Sequence, residues 1–78
     1  FADLRNVLET YLSMEIDVTE SINKIYDACL KSKDFQATKL LEWFLHEQIE
    51  EEDNARRTLE IYDLIGTELD GLFKIDVQ

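Results

Sequence analysis

With 78 residues, no Pro and only two Gly, the chain is one small domain or part of a larger one, and its composition favours long helices over a sheet with its turns. A formal net charge of -10, from 18 acidic and 8 basic residues, argues against nucleic acid or an anionic membrane as partner and suits both solubility and attraction of cations. The single Cys29 excludes an internal disulfide framework and fits a reducing, cytoplasmic setting, and no apolar run approaches the ~20 residues of a membrane span.

The chain begins with Phe1 rather than Met and shows no signal-peptide pattern. It is expected to be a processed product or a part of a longer protein. A first helix is predicted from about Asp3, a plausible N-cap, to about Lys31, whose charge suits the negative end of the helix dipole. Its apolar seam is written Leu4, Leu8, Tyr11, Glu15, Val18, Ile22, Ile25, Cys29, in alternating steps of four and three. That is the spacing of bundle packing, and Glu15 is its one charged member.

The connection Ser32-Lys33-Asp34 is short, so the next helix is expected to run antiparallel to the first, with Asp34 as its N-cap. This second helix is predicted from about Phe35 to about Ile65, with Gly66 as the residue that ends it. Its seam is written Ala37, Leu41, Phe44, Gln48, Glu51, Ala55, Thr58, Tyr62, Ile65, and only Gln48 and Glu51 interrupt its apolar or small character near the middle. Residues 66–78 form a tail in which Asp70-Gly71 is a turn signal and Leu72, Phe73, Ile75 and Val77 could start a docking element. The fold class is therefore all-α, a long antiparallel hairpin. Val7, Met14, Phe35, Leu40, Leu45, Ile49, Leu59 and Ile61 widen the apolar faces beyond one seam, so two further helices are expected to close the core.

Glu15 lies eighteen residues before Lys33 and Glu51 eighteen after it. Equal distances from the turn of an antiparallel hairpin mean equal height, so both carboxylates are expected at one level. Gln48 and Glu47 lie three and four residues before Glu51, on nearly the same face, and Glu50 flanks them. Glu50-Glu51-Glu52-Asp53 alone would read as a solvated charge run, but the level match with Glu15 weighs against that. Carboxylates opposed in an apolar core need a shared proton, a basic partner or a cation. No Lys or Arg falls in the seam near this level. An oxygen-rich set without sulfur suits iron, manganese, magnesium or calcium. His46 reads as a surface residue, Cys29 as a small core residue, Trp43 as packing near the polar patch, and the tyrosines as core or interface rings.

These residues resemble the C-terminal half of a bacterial or archaeal non-haem ferritin. The likeness rests on Trp43-Phe44 followed by Glu47-Gln48-x-Glu50-Glu51-Glu52, on Glu15 followed by Val18-Thr19-Glu20-Ser21-Ile22-Asn23-Lys24-Ile25-Tyr26, and on Gly71-Leu72-Phe73-x-Ile75-Asp76. It covers nearly the whole chain and implies half of a ferritin-like four-helix bundle. By that resemblance Glu15, Gln48 and Glu51 correspond to ligands of a dinuclear ferroxidase centre, and Glu47 and Glu50 to positions that hold a third, neighbouring iron. The implied activity is oxidation of ferrous iron by dioxygen or peroxide, with ferric mineral stored in a homo-oligomeric cage of roughly 24 subunits. No haem is expected, and no catalytic residue beyond the metal ligands.

The chain departs from the family pattern in lacking the first two helices and their Glu, His and Tyr residues, and it has no Glu-x-x-His of the kind that di-iron bundles use. A single isolated copy is expected to be inactive. A different class of function stands beside this one: a non-catalytic hairpin that homodimerises into a four-helix bundle with a structural carboxylate metal site.

Overall fold

The computed structural model describes the backbone of residues 2–77 and the side chains of residues 3–71. Two helices, α1 (Ala2–Lys31, 30 residues) and α2 (Phe35–Val77, 43 residues), fold back on each other as an antiparallel hairpin 67 Å long. The described residues contain no strand, as the composition predicts. α1 starts at Ala2, so Asp3 sits within its first turn rather than ahead of it, where its charge still complements the positive end of the helix. Lys31 occupies the last turn and pairs with Asp27 at 2.9 Å.

The turn closes by helix capping from both sides. Asp34 donates its backbone N–H to the carbonyl of Cys29 (2.9 Å) and Lys33 donates to that of Leu30 (3.1 Å). These are the two bonds of a Schellman motif, which satisfies carbonyls left over at the end of a helix. The motif needs a left-handed residue at its C′ position, and Lys33 fills it with φ 61°. Asp34 then caps α2, accepting the N–H of Ala37 on Oδ1 at 3.2 Å. One short segment thus ends α1 and starts α2 without a glycine.

The expected end of α2 at Ile65 is corrected by the structure: the helix runs on through Gly66 and Gly71 to Val77. Neither glycine has positive φ, so neither acts as a left-handed stop. Gly66 instead lies half-buried on the face turned to α1. The predicted tail is therefore helical over most of its length. The side chains of Leu72, Phe73, Ile75 and Val77, expected to dock, lie outside the described residues.

The packing seam differs from the written one in an orderly way. Leu8, Glu15, Ile22 and Cys29 of α1 do meet Leu41, Gln48, Ala55 and Tyr62 of α2, all of them buried or half-buried. The alternate positions move forward by one residue. Arg5, Leu12, Thr19 and Tyr26 replace Leu4, Tyr11, Val18 and Ile25, and Leu45, Glu52, Leu59 and Gly66 replace Phe44, Glu51, Thr58 and Ile65. Thr38 is buried at the turn end. The heptad spacing survives; its register is the one that lets polar groups bond across the seam. Arg5 forms a bidentate pair with Asp63 (2.9 and 3.0 Å), and Tyr26 donates to Glu42 (3.0 Å).

The displaced residues now form a second stripe. A position one before a seam residue is turned ~100° about a helix axis. In an antiparallel pair that turn carries both helices' stripes to the same side. Leu4, Val7, Tyr11, Met14, Val18 and Ile25 of α1 therefore share one exposed face with Phe44, Ile61 and Ile65 of α2. Val7, Tyr11 and Met14 line a shallow groove on it. Among the described residues no side chain larger than Ala55 is fully buried. The hairpin has a seam but no closed core, as expected of an apolar surface wider than one helix contact.

Candidate metal centre

The polar layer of the seam is built on Glu15 and Gln48. Leu45 and Leu41 on one side and Ala55 and Leu59 on the other carry α2 against α1 and place Gln48 at the middle of the contact. Gln48 is 7% exposed. Its amide nitrogen lies 2.9 Å from both the backbone oxygen and Oε2 of Glu15. Both amide hydrogens are thereby used, as a buried amide requires. The only oxygen the amide can offer a cation is Oε1.

Glu15 therefore faces an amide across the seam, and the expected opposition of Glu15 and Glu51 is not formed. Glu51 shares the height of the layer but stands on the exposed face, in register with Phe44 and Thr58. Glu47, half-buried, lies one turn before Glu51 on that same face. Glu50 is exposed and, two residues from both Gln48 and Glu52, points away from α1. Among the described residues no three His, Cys, Asp or Glu side chains are gathered as a metal cluster. The hairpin joins Glu15 to Gln48, presents Glu47 and Glu51 beside them, and turns Glu50 aside.

The other singled-out residues are placed simply. His46 is exposed, and Cys29 is a half-buried free thiol. Trp43 is 56% exposed and meets the ring of Phe44 edge-on at 5.1 Å. No described helix is long and apolar enough to cross a membrane.

An uncovered apolar face with carboxylates at the centre of a helix pair is what a half of a carboxylate bundle would show, and comparison with known proteins decides the family. Residues 1–65 match the Ferritin family, described as a ferritin-like domain. The chain belongs to the ferritin-like family. It is 33% identical over 76 residues to a probable bacterial non-heme ferritin-like protein of Haemophilus influenzae, covering 97% of this chain and 46% of that protein. It is 34% identical to a bacterial non-heme ferritin of Campylobacter jejuni, with the same coverage of each. A bacterial non-heme ferritin of Staphylococcus haemolyticus is 31% identical over 91% of this chain and 45% of its own length. The ferritin-like chain thus spans about half the length of the curated relatives it matches. No solved structure matches it.

The sequence pattern missed one part of this ferritin-like hairpin. In the same layer as the Glu15–Gln48 pair, Thr19 Oγ1 lies 2.9 Å from Glu52 Oε2 and 3.1 Å from the carbonyl oxygen of Glu15. Arg56 donates to Glu52 Oε1 at 3.2 Å. The usable signal was height: Thr19 and Gln48 lie fourteen and fifteen residues from Lys33, and Glu15 and Glu52 eighteen and nineteen, so an antiparallel hairpin gathers all four into one layer. Heptad spacing fits Glu51 as well as Glu52, so period alone does not show the bond.

Proposed function

We propose that this ferritin-like chain binds ferrous iron as substrate and cargo and supplies half of a dinuclear ferroxidase centre. The observation that carries this is the buried Gln48 amide held on Glu15, at the height where Glu51 and Glu47 line the uncovered face. Glu15, Gln48 through Oε1, and Glu51 are the ligands, with Glu47 beside them and Glu50, three residues after Glu47 on the outer flank, for a third iron. The set consists of hard oxygens, which suit ferrous and ferric ions. Each ferrous ion gives up one electron, and dioxygen or peroxide accepts the pair. The residues of this chain hold the two ions at a common depth, and two more helices over the open face exclude water and complete the coordination. The ferric product is stored as mineral in a homo-oligomeric cage, and the acidic, single-cysteine composition supports a cytoplasmic setting.

The test is the initial rate of ferrous oxidation in the four-helix protein. Glu15→Ala and Glu51→Ala are each expected to lower it by about tenfold or more, through loss of a ligand to the reacting ions. An unchanged rate overturns the assignment.

The open face also supports a second reading, a homodimer of hairpins with a structural metal. Phe44 lies seven residues before Glu51 and Thr58 seven after, while Leu40 and Ile61 lie eleven before and ten after. A two-fold axis at the level of Glu51 would lay apolar halves on apolar halves. It would also oppose carboxylates of two chains that each carry -10, which a bound cation or a shared proton would relieve. Sedimentation separates the readings: a discrete dimer supports this one, and a large shell supports the cage.

A further inference from the structure

We infer that Glu52 is a positioning residue that fixes the Glu15–Gln48 pair, and that it is not an iron ligand although it belongs to the Glu50-Glu51-Glu52 run. The inference rests on the proposed role of that pair in holding iron. Three adjacent carboxylates on a helix point in three directions, since each residue turns the chain by ~100°. Glu50 points away from α1, Glu51 stands on the open face, and only Glu52 enters the seam, its side chain 16% exposed. A carboxylate withdrawn from water this far needs partners for both oxygens. Glu52 has them: Thr19 Oγ1 at 2.9 Å on Oε2, and Arg56 Nη2 at 3.2 Å on Oε1. Each oxygen thus has a protein partner, and the side chain is drawn into the seam rather than onto the open face where Glu51 stands.

The position of these bonds gives them their consequence. Thr19 belongs to α1 and Glu52 to α2, so the hydroxyl–carboxylate bond ties the helices together across the same layer that Gln48 spans. Thr19 has one hydroxyl hydrogen, which is directed to the Glu52 carboxylate or shared between it and the carbonyl that Gln48 uses. The carbonyl oxygen of Glu15 lies 2.9 Å from Gln48 Nε2 and 3.1 Å from Thr19 Oγ1. Hydrogen bonds to an ionised acceptor are short and strong, so Glu52 sets the spacing and height of the two helices at this layer. Arg56, on the same helix one turn further, holds the carboxylate toward α1 and balances its charge. If Thr19 and Glu52 part, the helices can slide, and Gln48 can no longer reach both the carbonyl and the carboxylate of Glu15.

The experiment reads Gln48 directly, in the full chain without iron. Its side-chain amide exchanges with water at a rate set by how well its bonds to Glu15 are held, and the exposed Gln36 on the same helix is an internal control. Glu52→Ala and Thr19→Val, which keeps the side-chain shape, are each expected to speed Gln48 exchange by about tenfold and leave Gln36 unchanged. Glu52→Gln retains an oxygen for Thr19 and is expected to stay within about twofold of the parent. Helicity by circular dichroism is recorded for each variant, and should Glu52→Ala lose it, Thr19→Val and Glu52→Gln still decide the matter. Parent-like Gln48 exchange in Thr19→Val overturns the tie. In the four-helix protein, Glu52→Gln is expected to bind as much ferrous iron as the parent; loss of bound iron would make Glu52 a ligand. If the parent binds no iron, the ferroxidase proposal fails, while the exchange measurement still judges the role of Glu52.

Discussion

Gln48 bonds Glu15 twice, through one hydrogen to the backbone carbonyl and one to the carboxylate, each at 2.9 Å. The double bond explains how a carboxylate can stand in the seam of two helices without a basic partner. It also gives the layer a direction, because an amide that spends its hydrogens on one helix must turn its oxygen elsewhere. Gln48 and Thr38 are the two buried polar residues among those described, and Thr38 bonds only within its own helix, at the carbonyl of Phe35. Gln48 is therefore the buried polar link between α1 and α2.

Truncating that link is expected to be costly. Gln48→Ala removes two hydrogen bonds, one to an ionised group, and is expected to destabilise the hairpin by about 1–3 kcal/mol. Gln48→Glu sets a carboxylate against Glu15 and is expected to be worse at neutral pH, then to recover as the pH falls and one of the pair takes up a proton. Thermal unfolding followed by circular dichroism at pH 7 and pH 4–5 checks both, and equal losses for Gln48→Glu at the two pH values would contradict the pairing.

Lys33 has the left-handed backbone that a Schellman turn demands, with φ 61°. A side chain there crowds the following carbonyl, at about 1–2 kcal/mol for an L-residue. Glycine escapes that penalty but loses more entropy on folding. Lys33→Gly is expected to stabilise the hairpin by about 0.5–1 kcal/mol, and Lys33→Asn by less. Denaturant unfolding of the variants measures the shift. A loss of stability in Lys33→Gly would mean that the lysine side chain supports the turn in a way its exposure does not suggest.

The fold was legible where chemistry acts locally, and the seam only in part. Absence of Pro, the Asp34 cap and the short link between two periodic segments are enough for an antiparallel pair of helices. The position of the turn is enough to put Glu15 and the Gln48–Glu51 segment at one height. The seam itself was ambiguous because the apolar surface is two stripes wide: Leu4 and Tyr11 satisfy the heptad as well as Arg5 and Leu12 do. Period alone cannot say which of two adjacent stripes meets the neighbouring helix. Cross-helix bonds decide it, and Arg5–Asp63 and Thr19–Glu52 are visible in sequence only once the helices are set side by side. Gly66 misled for a related reason. A glycine after a helical run signals a stop when its backbone turns left-handed, and nothing in its neighbours tells whether it does.

Tyr26 carries a pH dependence of known sign. Its phenol donates to Glu42, and this bond, together with desolvation and the nearby negative charge, raises its pKa above the ordinary value of about 10. The folded chain holds that proton to higher pH than the unfolded chain does. The stabilisation is complete below the unfolded value and is lost as the pH rises through the higher folded one. An ultraviolet phenolate titration of the folded chain should therefore show a late-titrating tyrosine that is absent from Tyr26→Phe. In Glu42→Gln its titration should move back toward the ordinary value. If Tyr26→Phe leaves the high-pH end of the titration unchanged, the assignment is wrong.

The continuity of α2 through Gly66 can be decided by the sign of a single substitution. If Gly66 ended the helix in a left-handed conformation, as a C′ glycine does, alanine there would be strained and destabilising. The structure gives Gly66 an ordinary helical backbone, and a Cβ built on it meets nothing within 4 Å. In a helix interior glycine is worse than alanine by about 0.5–1 kcal/mol, because it surrenders more backbone freedom on folding. Gly66→Ala is accordingly expected to stabilise the chain by about that amount and to raise its helical content. Gly71→Ala, for which an added Cβ likewise meets nothing, should act in the same direction. The two changes are more than one helical turn apart and share no partner, so their effects should add. A fall in stability for Gly66→Ala would place the end of the helix at Ile65 and return residues 66–77 to a separate tail.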